Sequence, residues 1–299
     1  MKRIFLFIVT NIAVLLVITL VFTVVCKVFG INTAMLAENG INYQSLAIYS
    51  LVFGMAGSVI SLLMSKPMAK MSTGAKKIDG TEGAAEAWLV NTVQDLATRA
   101  GLKCPEVAIY PGEPNAFATG AFKNSALVAV STGIMQSMTR NELRAVLGHE
   151  MSHVSNGDMV TMSLVQGVLN AVVLFVSRIA GVIIGGLLSG KGDKGRSRNA
   201  TGNLVGHLVA NVLQVALGFA ASIIVRAYSR RREYAADAGS ANLLGSPSDM
   251  IAALRRLGNL QPGVLPDSLK AMGISGSTMQ ALFSTHPSLE DRIAALQRL

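Results

Sequence analysis

Four long apolar runs divide this chain of 299 residues and constrain what it can fold into. The first two runs cover residues 4–26 and 39–65, and the other two cover 159–188 and 199–225. A helix needs about 20 apolar residues to cross the hydrocarbon core of a bilayer, and each run is that long. The sequence therefore predicts a membrane protein with two hydrophobic hairpins and up to four transmembrane helices.

Charge and composition agree with this prediction. Only 14% of the residues are charged, against roughly 25% in an ordinary soluble domain. The formal net charge is +9, but most of the basic residues flank the apolar runs, without the interleaved aromatic residues that would stack on bases. This placement argues against nucleic-acid binding and favours contact with lipid headgroups. Two cysteines in the whole chain exclude a disulfide scaffold.

The basic residues also predict an orientation. Lys2 and Arg3 precede the first run and four lysines between 66 and 77 follow the second, so the positive-inside rule places both segments in the cytoplasm. The first run is longer than the apolar part of a signal peptide, which favours an uncleaved anchor. The loop 191–198 is basic as well, and a full crossing of 161–226 would place it outside, against the rule. Incomplete crossing, burial of the pair against protein, and a full crossing whose orientation is fixed by the first hairpin therefore remain as alternatives.

The stretches between and after the hairpins have soluble character. Residues 84–100 carry apolar side chains at helical spacing and are followed by Gly101, a helix-ending residue. Thr139 and Glu142 form the pattern of a capping box for a helix that reaches about residue 156. Short runs typical of β-strands lie at 107–110, 116–119 and 126–131.

His149-Glu150-Met151-Ser152-His153 is the strongest chemical signal in the chain. On a helix, residues four apart leave the same face, so both imidazoles can bind one zinc ion. Glu150 is offset by one residue, and its carboxylate can reach a zinc-activated water without binding the metal. The alternative is a pair of solvent-facing histidines on a surface helix.

A catalytic zinc needs a third protein ligand. Glu233 and Asp237 are spaced to share one helix face, so that Glu233 can bind the metal while Asp237 accepts the free N–H of a zinc-bound histidine. An ion pair between Glu233 and Arg230 is equally compatible with the spacing. The further candidates by residue type are Asp158, His207, His286, Glu290 and Asp291.

Four motifs occur in order along the chain, and together they resemble the HtpX family of bacterial membrane-integrated zinc proteases. They are Asn115-Ala-Phe-Ala118, His149–His153, Arg230-Arg-Arg-Glu233-Tyr-Ala-Ala-Asp237 and Ser284-Thr-His286-Pro-Ser288. The resemblance covers essentially the whole chain, and the family is similar to the CAAX prenyl proteases of eukaryotes. It implies a mostly helical α+β membrane protein whose gluzincin-type zincin domain carries a small β-sheet.

The resemblance also implies roles for individual residues. His149, His153 and Glu233 would bind one zinc ion per chain, and Glu150 would be the general base. Asp237 would support a metal ligand.

Three further assignments follow from the same resemblance. His286 would be a catalytic residue near the substrate, although its spacing is equally compatible with loop packing. Arg292 would pair with Asp237, whereas the sequence by itself favours a solvent-exposed helix residue. An edge strand that pairs with extended substrate would be formed by Asn115, Ala116, Phe117 and Ala118.

The implied organisation is an N-terminal hairpin at 1–66, a first catalytic part at 67–160, a second hairpin at 161–226 and a second catalytic part at 227–299. The implied protein is a multi-pass zinc metalloendopeptidase of the bacterial inner membrane, with its catalytic domain in the cytoplasm. It would hydrolyse misfolded or damaged membrane proteins in envelope quality control, in functional overlap with other membrane proteases.

Two other classes of protein stay open on the sequence. One is a catalytically inactive zincin that acts as a scaffold. The other is a zinc-dependent membrane transporter, with Arg178 and His207 lining a path through the apolar runs.

Overall fold

The computed structural model describes residues 42–189, 196–260 and 286–299, together with Thr23. The first apolar run, apart from Thr23, and most of the basic loop 191–198 therefore lie outside the described residues. The chain divides into two compact units. The first unit contains Met1–Ile60 and Ser163–Ile224, and the second contains Ser61–Met162 and Val225–Leu299.

The described elements are eight α-helices, one short 3-10 helix at Lys123–Ser125 and four strands. The helices are α1 Tyr43–Thr73, α2 Ala84–Arg99, α3 Thr132–Ser137, α4 Arg140–Asn156, α5 Asp158–Ser189, α6 Arg196–Leu244, α7 Ser248–Leu260 and α8 Leu289–Leu296. The strands are β1 Lys76–Ile78, β2 Glu106–Tyr110, β3 Ala116–Thr119 and β4 Leu127–Ser131.

Three of these helices, α1, α5 and α6, are long and apolar enough to cross a membrane. Each extends beyond the apolar run that predicts it. Helix α1 continues through Pro67 to Thr73, and α6 continues past residue 225 to Leu244. Helix α6 therefore contains the fourth apolar run together with Glu233 and Asp237.

Small residues bring the helices of the first unit close together. Gly54 on α1 faces the backbone of Ala171 on α5, and an added Cβ would overlap it. A Cβ at Gly185 on α5 would likewise stand 2.8 Å from the carbonyl oxygen of Gly202 on α6. Such small-residue contacts are characteristic of helix packing in membranes.

The outward faces of these helices present large apolar side chains. On α1 and α6 the exposed side chains include Ile48, Val52, Phe53, Leu204, Leu208, Val212 and Val215. A soluble protein rarely exposes apolar patches of this extent. The helices are thus suited to lipid contact, as the apolar runs predict.

The sheet of the second unit is four-stranded and mixed, with the order β1-β2-β4-β3. Strand β2 pairs in parallel with β4, whereas β1 and β3 are antiparallel to their neighbours. Strand β1 is a short lysine-rich segment that the sequence pattern does not predict. Strand β3 lies at one edge of the sheet.

Local signals in the sequence fix both ends of helix α4. At its start, Thr139 Oγ1 accepts a hydrogen bond from Glu142 N at 3.3 Å, and Glu142 Oε2 accepts one from Thr139 N at 2.8 Å, which forms the predicted capping box. At its end, Gly157 adopts the left-handed conformation with φ 74°. Leu147 and Met151 are fully buried in the core of the second unit, which anchors the helix and sets its orientation.

Helices, a small sheet and three candidate membrane helices make this an α+β membrane protein, as predicted.

Candidate active site

Helix α4 presents His149 and His153 side by side. Their Nε2 atoms are 3.1 Å apart, because residues i and i+4 share one face of a helix. His149 is buried and His153 is half-buried. The two imidazoles therefore face the protein interior, and they are not solvent-facing residues of a surface helix.

Glu233 approaches this pair from helix α6. Its Oε2 lies 3.5 Å from His149 Nε2, and its Oε1 lies 3.5 Å from His153 Nε2. The three side chains form the one group of histidine, cysteine or acidic residues among the described parts of the chain that could hold a metal ion. By contrast, His207 is exposed on α6 and belongs to no such group.

The donor atoms fit zinc. Zinc–ligand bonds of about 2.0–2.1 Å in a tetrahedron place neighbouring ligand atoms about 3.3 Å apart, close to the 3.1 and 3.5 Å separations of these atoms. A divalent cation would also balance the surrounding charge. With neutral imidazoles, four carboxylates face two guanidinium groups here: Glu150, Asp158, Glu233 and Asp237 against Arg232 and Arg292.

Asp237 holds His149 from the side away from the donor atoms. Its Oδ1 is 2.8 Å from His149 Nδ1. The same carboxylate accepts hydrogen bonds from Arg292, at 2.8 Å from Nε and 2.6 Å from Nη2. When Nδ1 donates to the carboxylate, Nε2 keeps its lone pair for a metal.

Arg292 is buried, with a relative exposure of 6%. The expectation of a solvent-exposed helix residue, which the sequence by itself favours, is therefore wrong. Helix α8 has one face turned to the protein, and Arg292 lies on that face together with Leu296. The pairing with Asp237 that the resemblance implies is the arrangement that the structure contains.

The carboxylates around the site attract protons as well as cations. Burial by itself lowers the pKa of His153, but hydrogen bonds with Asp158 and Glu233 outweigh burial and raise that pKa to about 10. Burial also opposes protonation of His149, yet Asp237 and Glu233 raise its pKa. Such strong stabilisation of positive charge is what a cation site requires.

Glu150 is next to His149 in sequence but points to the sheet. Its Oε2 accepts a hydrogen bond of 2.8 Å from the backbone N–H of Ala118 on edge strand β3. Burial raises the pKa of Glu150 above its usual range. A carboxylate with raised proton affinity beside a metal site is suited to accept and return a proton.

His286 lies beside the third donor residue. Its Nδ1 is 2.9 Å from Glu233 Oε2, while 61% of its side chain is exposed. The structure therefore brings it to the open side of the site. Glu290 and Asp291, in the first turn of α8, are not members of the metal-compatible group.

Sequence reasoning missed the environment of His153. Asp158 Oδ2 is 2.7 Å from His153 Nδ1, and Arg232 pairs with the other oxygen of that carboxylate. Asp158 was a candidate third ligand, but it contacts the nitrogen that faces away from the donor group. The available signal was its position directly after the left-handed Gly157 that ends α4.

Edge strand β3 exposes part of its backbone. Asn115 O accepts a hydrogen bond from Ser131 N, and Phe117 is paired with Ala129. Because backbone groups alternate along an antiparallel ladder, those of Ala116 and Ala118 point away from β4.

Comparison with known proteins identifies the family of this chain. The profile of Peptidase family M48 matches residues 84–299. The chain belongs to this family. Its catalytic class is that of the metallopeptidases, and with three membrane-compatible helices among its described residues it is a multi-pass membrane metalloprotease.

Relatives of this M48 peptidase extend over its full length. It is 53% identical to the Protease HtpX homolog of Janthinobacterium sp. (strain Marseille), over 100% of both chains. It is 54% identical to the Protease HtpX homolog of Verminephrobacter eiseniae (strain EF01-2), over 99% of this chain and 98% of the other. The family resemblance inferred from the four motifs is confirmed.

A solved structure supports the fold. The crystal structure of S. mikatae Ste24p is similar over 93% of this chain, with a TM-score of 0.56 and 20% sequence identity. This M48 peptidase spans 63% of the length of that protein.

Proposed function

We propose that this metalloprotease is a zinc endopeptidase that cleaves extended segments of misfolded or damaged membrane proteins. The observation that carries the proposal is the geometry around helix α4. His149, His153 and Glu233 bring three donor atoms together, and Glu150 stands between them and an edge strand. One site therefore combines a metal, a proton acceptor and a place for an extended peptide.

His149, His153 and Glu233 would hold the zinc ion. Zinc in such a site supplies a Lewis acid that lowers the pKa of water towards about 7 and polarises a carbonyl group. Glu150 accepts the proton of the attacking water and later delivers it to the leaving amine. Burial raises the pKa of Glu150, which makes its carboxylate a stronger proton acceptor.

The substrate backbone would add to strand β3. The outward N–H and C=O of Ala116 and the outward C=O of Ala118 can pair with an extended peptide, which is the usual way in which a sheet edge binds one. The N–H of Ala118 is held by Glu150. Since Ala118 N is within 2.8 Å of Glu150 Oε2, a peptide on this edge passes beside the general base. Hydrogen bonds to the substrate main chain depend little on its sequence, which suits a protease that acts on unfolded segments.

His286 would assist at the reacting carbonyl. Its largely exposed imidazole lies next to Glu233, so it can donate a hydrogen bond to negative charge that develops on the carbonyl oxygen. Asp237 stands behind His149, and Arg292 pairs with Asp237 and lies 3.4 Å from Glu233 Oε2. They would preserve the direction in which His149 presents Nε2.

Membrane helices and a catalytic domain in one chain suit substrates in the bilayer. We assign the hairpins at 1–66 and 161–226 to the membrane and the parts at 67–160 and 227–299 to the catalytic domain. The four lysines between 66 and 77 support a cytoplasmic position for that domain, because basic residues favour the cytoplasmic side. In a bacterial cell, this orientation corresponds to quality control of proteins at the inner membrane.

The test is cleavage of an unfolded protein substrate by the detergent-purified full chain. Wild type is compared with Glu150→Gln, each with chelator and after zinc is restored. Wild type should cleave only with zinc, and Glu150→Gln should lose about 10²–10⁴-fold in rate while it still binds zinc. His207→Ala is the matched control, because this exposed residue on α6 lies outside the site.

The outcomes separate the three classes of protein. Equal cleavage by wild type and Glu150→Gln would refute the assigned mechanism. Zinc binding without cleavage of several substrates by wild type would favour a scaffold. Zinc transport that is lost in His207→Ala and kept in Glu150→Gln would support the transporter alternative.

A further inference from the structure

The environment of His153 contains a buried ion pair that the catalytic mechanism does not use. Asp158 is 4% exposed, and its carboxylate is shared between two partners. Oδ2 lies 2.7 Å from His153 Nδ1, and Oδ1 pairs with Nη2 of Arg232. We propose that Asp158 and Arg232 are positioning residues that orient His153 for metal binding.

The proposal rests on the zinc site of the proposed function and adds two residues to it. His153 can bind a metal through Nε2 only if the proton of the neutral ring is on Nδ1. A carboxylate at 2.7 Å from Nδ1 favours that tautomer and fixes the plane of the ring. It also makes the imidazole a stronger donor, because the hydrogen bond leaves more electron density on the ring.

Arg232 explains how this carboxylate can remain buried and charged. An isolated carboxylate in the protein interior is unfavourable, and it becomes stable when a paired cation occupies its second oxygen. The guanidinium of Arg232 occupies this place. It also holds Asp158 against rotation away from His153, so its effect on the metal passes through Asp158.

The same arrangement serves the other imidazole. His149 Nδ1 contacts Asp237, and Asp237 is paired with Arg292. Each histidine ligand is thus backed by an aspartate, and each aspartate by an arginine. Helix α6 supplies one member of each set, Asp237 and Arg232. The other members come from different segments, since Arg292 is on α8 and Asp158 is the first residue of α5.

The turn after helix α4 places Asp158 where it is needed. Gly157 adopts a left-handed conformation, and its N–H bonds to the carbonyl oxygen of His153 at 3.1 Å. The backbone of His153 and the ring of the same residue are therefore both held by this one turn. Asp158 contacts the nitrogen opposite to Nε2 and so does not act as a metal ligand.

The experiment measures zinc affinity of the metal-stripped full chain in detergent, by competition with a chromophoric chelator. Asp158→Ala should weaken zinc binding by about 10–100-fold, the usual effect of losing such a partner. Asp158→Asn should lose less, because its amide oxygen still accepts the Nδ1 proton. Arg232→Gln should weaken zinc binding, and Arg232→Lys should weaken it less. The double variant Asp158→Ala with Arg232→Gln should bind zinc as Asp158→Ala alone does, because Arg232 acts through Asp158.

Two controls test whether the effect is specific. Arg231→Gln removes a neighbouring but exposed arginine. Asp95→Asn removes a half-exposed aspartate on α2 that pairs with Arg99 and Arg144, away from the metal site. Both should bind zinc as wild type does. Cobalt(II) absorption gives a second readout, because a ring that is no longer held changes the ligand field, whereas a purely structural role would lower only the melting temperature.

The result that overturns the proposal is zinc affinity within about twofold of wild type for Asp158→Ala and Asp158→Asn, with an unchanged cobalt spectrum. If Asp158→Ala does not fold, the pair Arg232→Gln and Arg232→Lys decides by the same criterion. Failure of the proposed function looks different. Wild type would then either bind no zinc or bind zinc without cleaving any substrate.

Discussion

Replacement of Arg292 by methionine is expected to destabilise the second unit. The side chain of Arg292 is 8% exposed and that of Asp237 is 2% exposed. Methionine has a similar length, so the substitution removes charge and hydrogen bonds while it largely keeps the packing. Asp237 would lose hydrogen bonds of 2.8 and 2.6 Å and would keep only its contact with His149.

The magnitude follows from the burial of the remaining carboxylate. Removal of one partner from a buried pair leaves an uncompensated charge and costs about 3–5 kcal/mol. At about 2–4 °C per kcal/mol for a protein part of this size, the melting temperature should fall by roughly 6–20 °C. Removing both charges, with Arg292→Met and Asp237→Asn together, should cost less than the sum of the two single changes.

Trp88 makes this measurement specific for the second unit. It is the only tryptophan of the chain, and it lies on α2 in that unit, with the guanidinium of Arg140 5.6 Å from its ring. Thermal unfolding followed by tryptophan fluorescence therefore reports on the unit that contains Arg292. Arg298→Met, an exposed residue just beyond the same helix, is the matched control.

A melting temperature within 2 °C of wild type for Arg292→Met would refute the reasoning. It would mean that Asp237 is solvated or protonated in the folded protein. A double variant less stable than the two single effects combined would equally contradict it.

The remaining predictions concern a carboxylate paired with two lysines and a close contact between two helices. Glu106 is only 17% exposed and pairs with Lys66 and Lys70. Its burial raises the pKa, but the two lysines outweigh burial and lower it, so the pairs stabilise the fold above the unfolded-state pKa of about 4.3. Glu106→Gln should therefore lower the free energy of unfolding by about 1 kcal/mol at pH 7. The resulting difference in melting temperature should shrink as the pH falls through the folded-state pKa of Glu106. A difference that does not change with pH would contradict this. Gly181→Ala should lower the free energy of unfolding by about 1–3 kcal/mol through overpacking, because its Cβ would meet the neighbouring helix. Gly186→Ala is the control, since a Cβ there meets nothing within 4 Å. Equal melting temperatures of the two variants by circular dichroism would be inconsistent with the close packing.

The site could be predicted wherever the information is local. The capping box at Thr139, the four-residue spacing of the histidines and the glycine at 157 are all properties of one short segment. Backbone geometry converts that spacing directly into two rings on one face. Helix α4 therefore forms at 140–156, close to the range that the sequence predicts.

Contacts between distant segments could not be predicted from the same patterns. Arg292 is 55 residues from Asp237, and no periodicity links an arginine on a short amphipathic helix to a particular carboxylate. Strand β1 has two lysines in three residues and forms because β2 offers it an edge. In both cases the partner, and not the local propensity, decides the structure.

The distribution of charge in the site has a chemical consequence. Each aspartate is paired with an imidazole Nδ1 and with an arginine, on the side of the ring away from the donor nitrogen. Arg292 also reaches the donor group, with its Nη1 3.4 Å from Glu233 Oε2. Glu233 and Glu150 are the carboxylates left for the metal and for the proton. Because each arginine neutralises an aspartate that cannot reach the donor group, the cluster can hold both imidazoles rigidly and still present two negative charges to a divalent ion. Loss of Arg232 should therefore weaken the hold on His153 without a direct change at the donor atoms, whereas loss of Arg292 also removes a contact of Glu233.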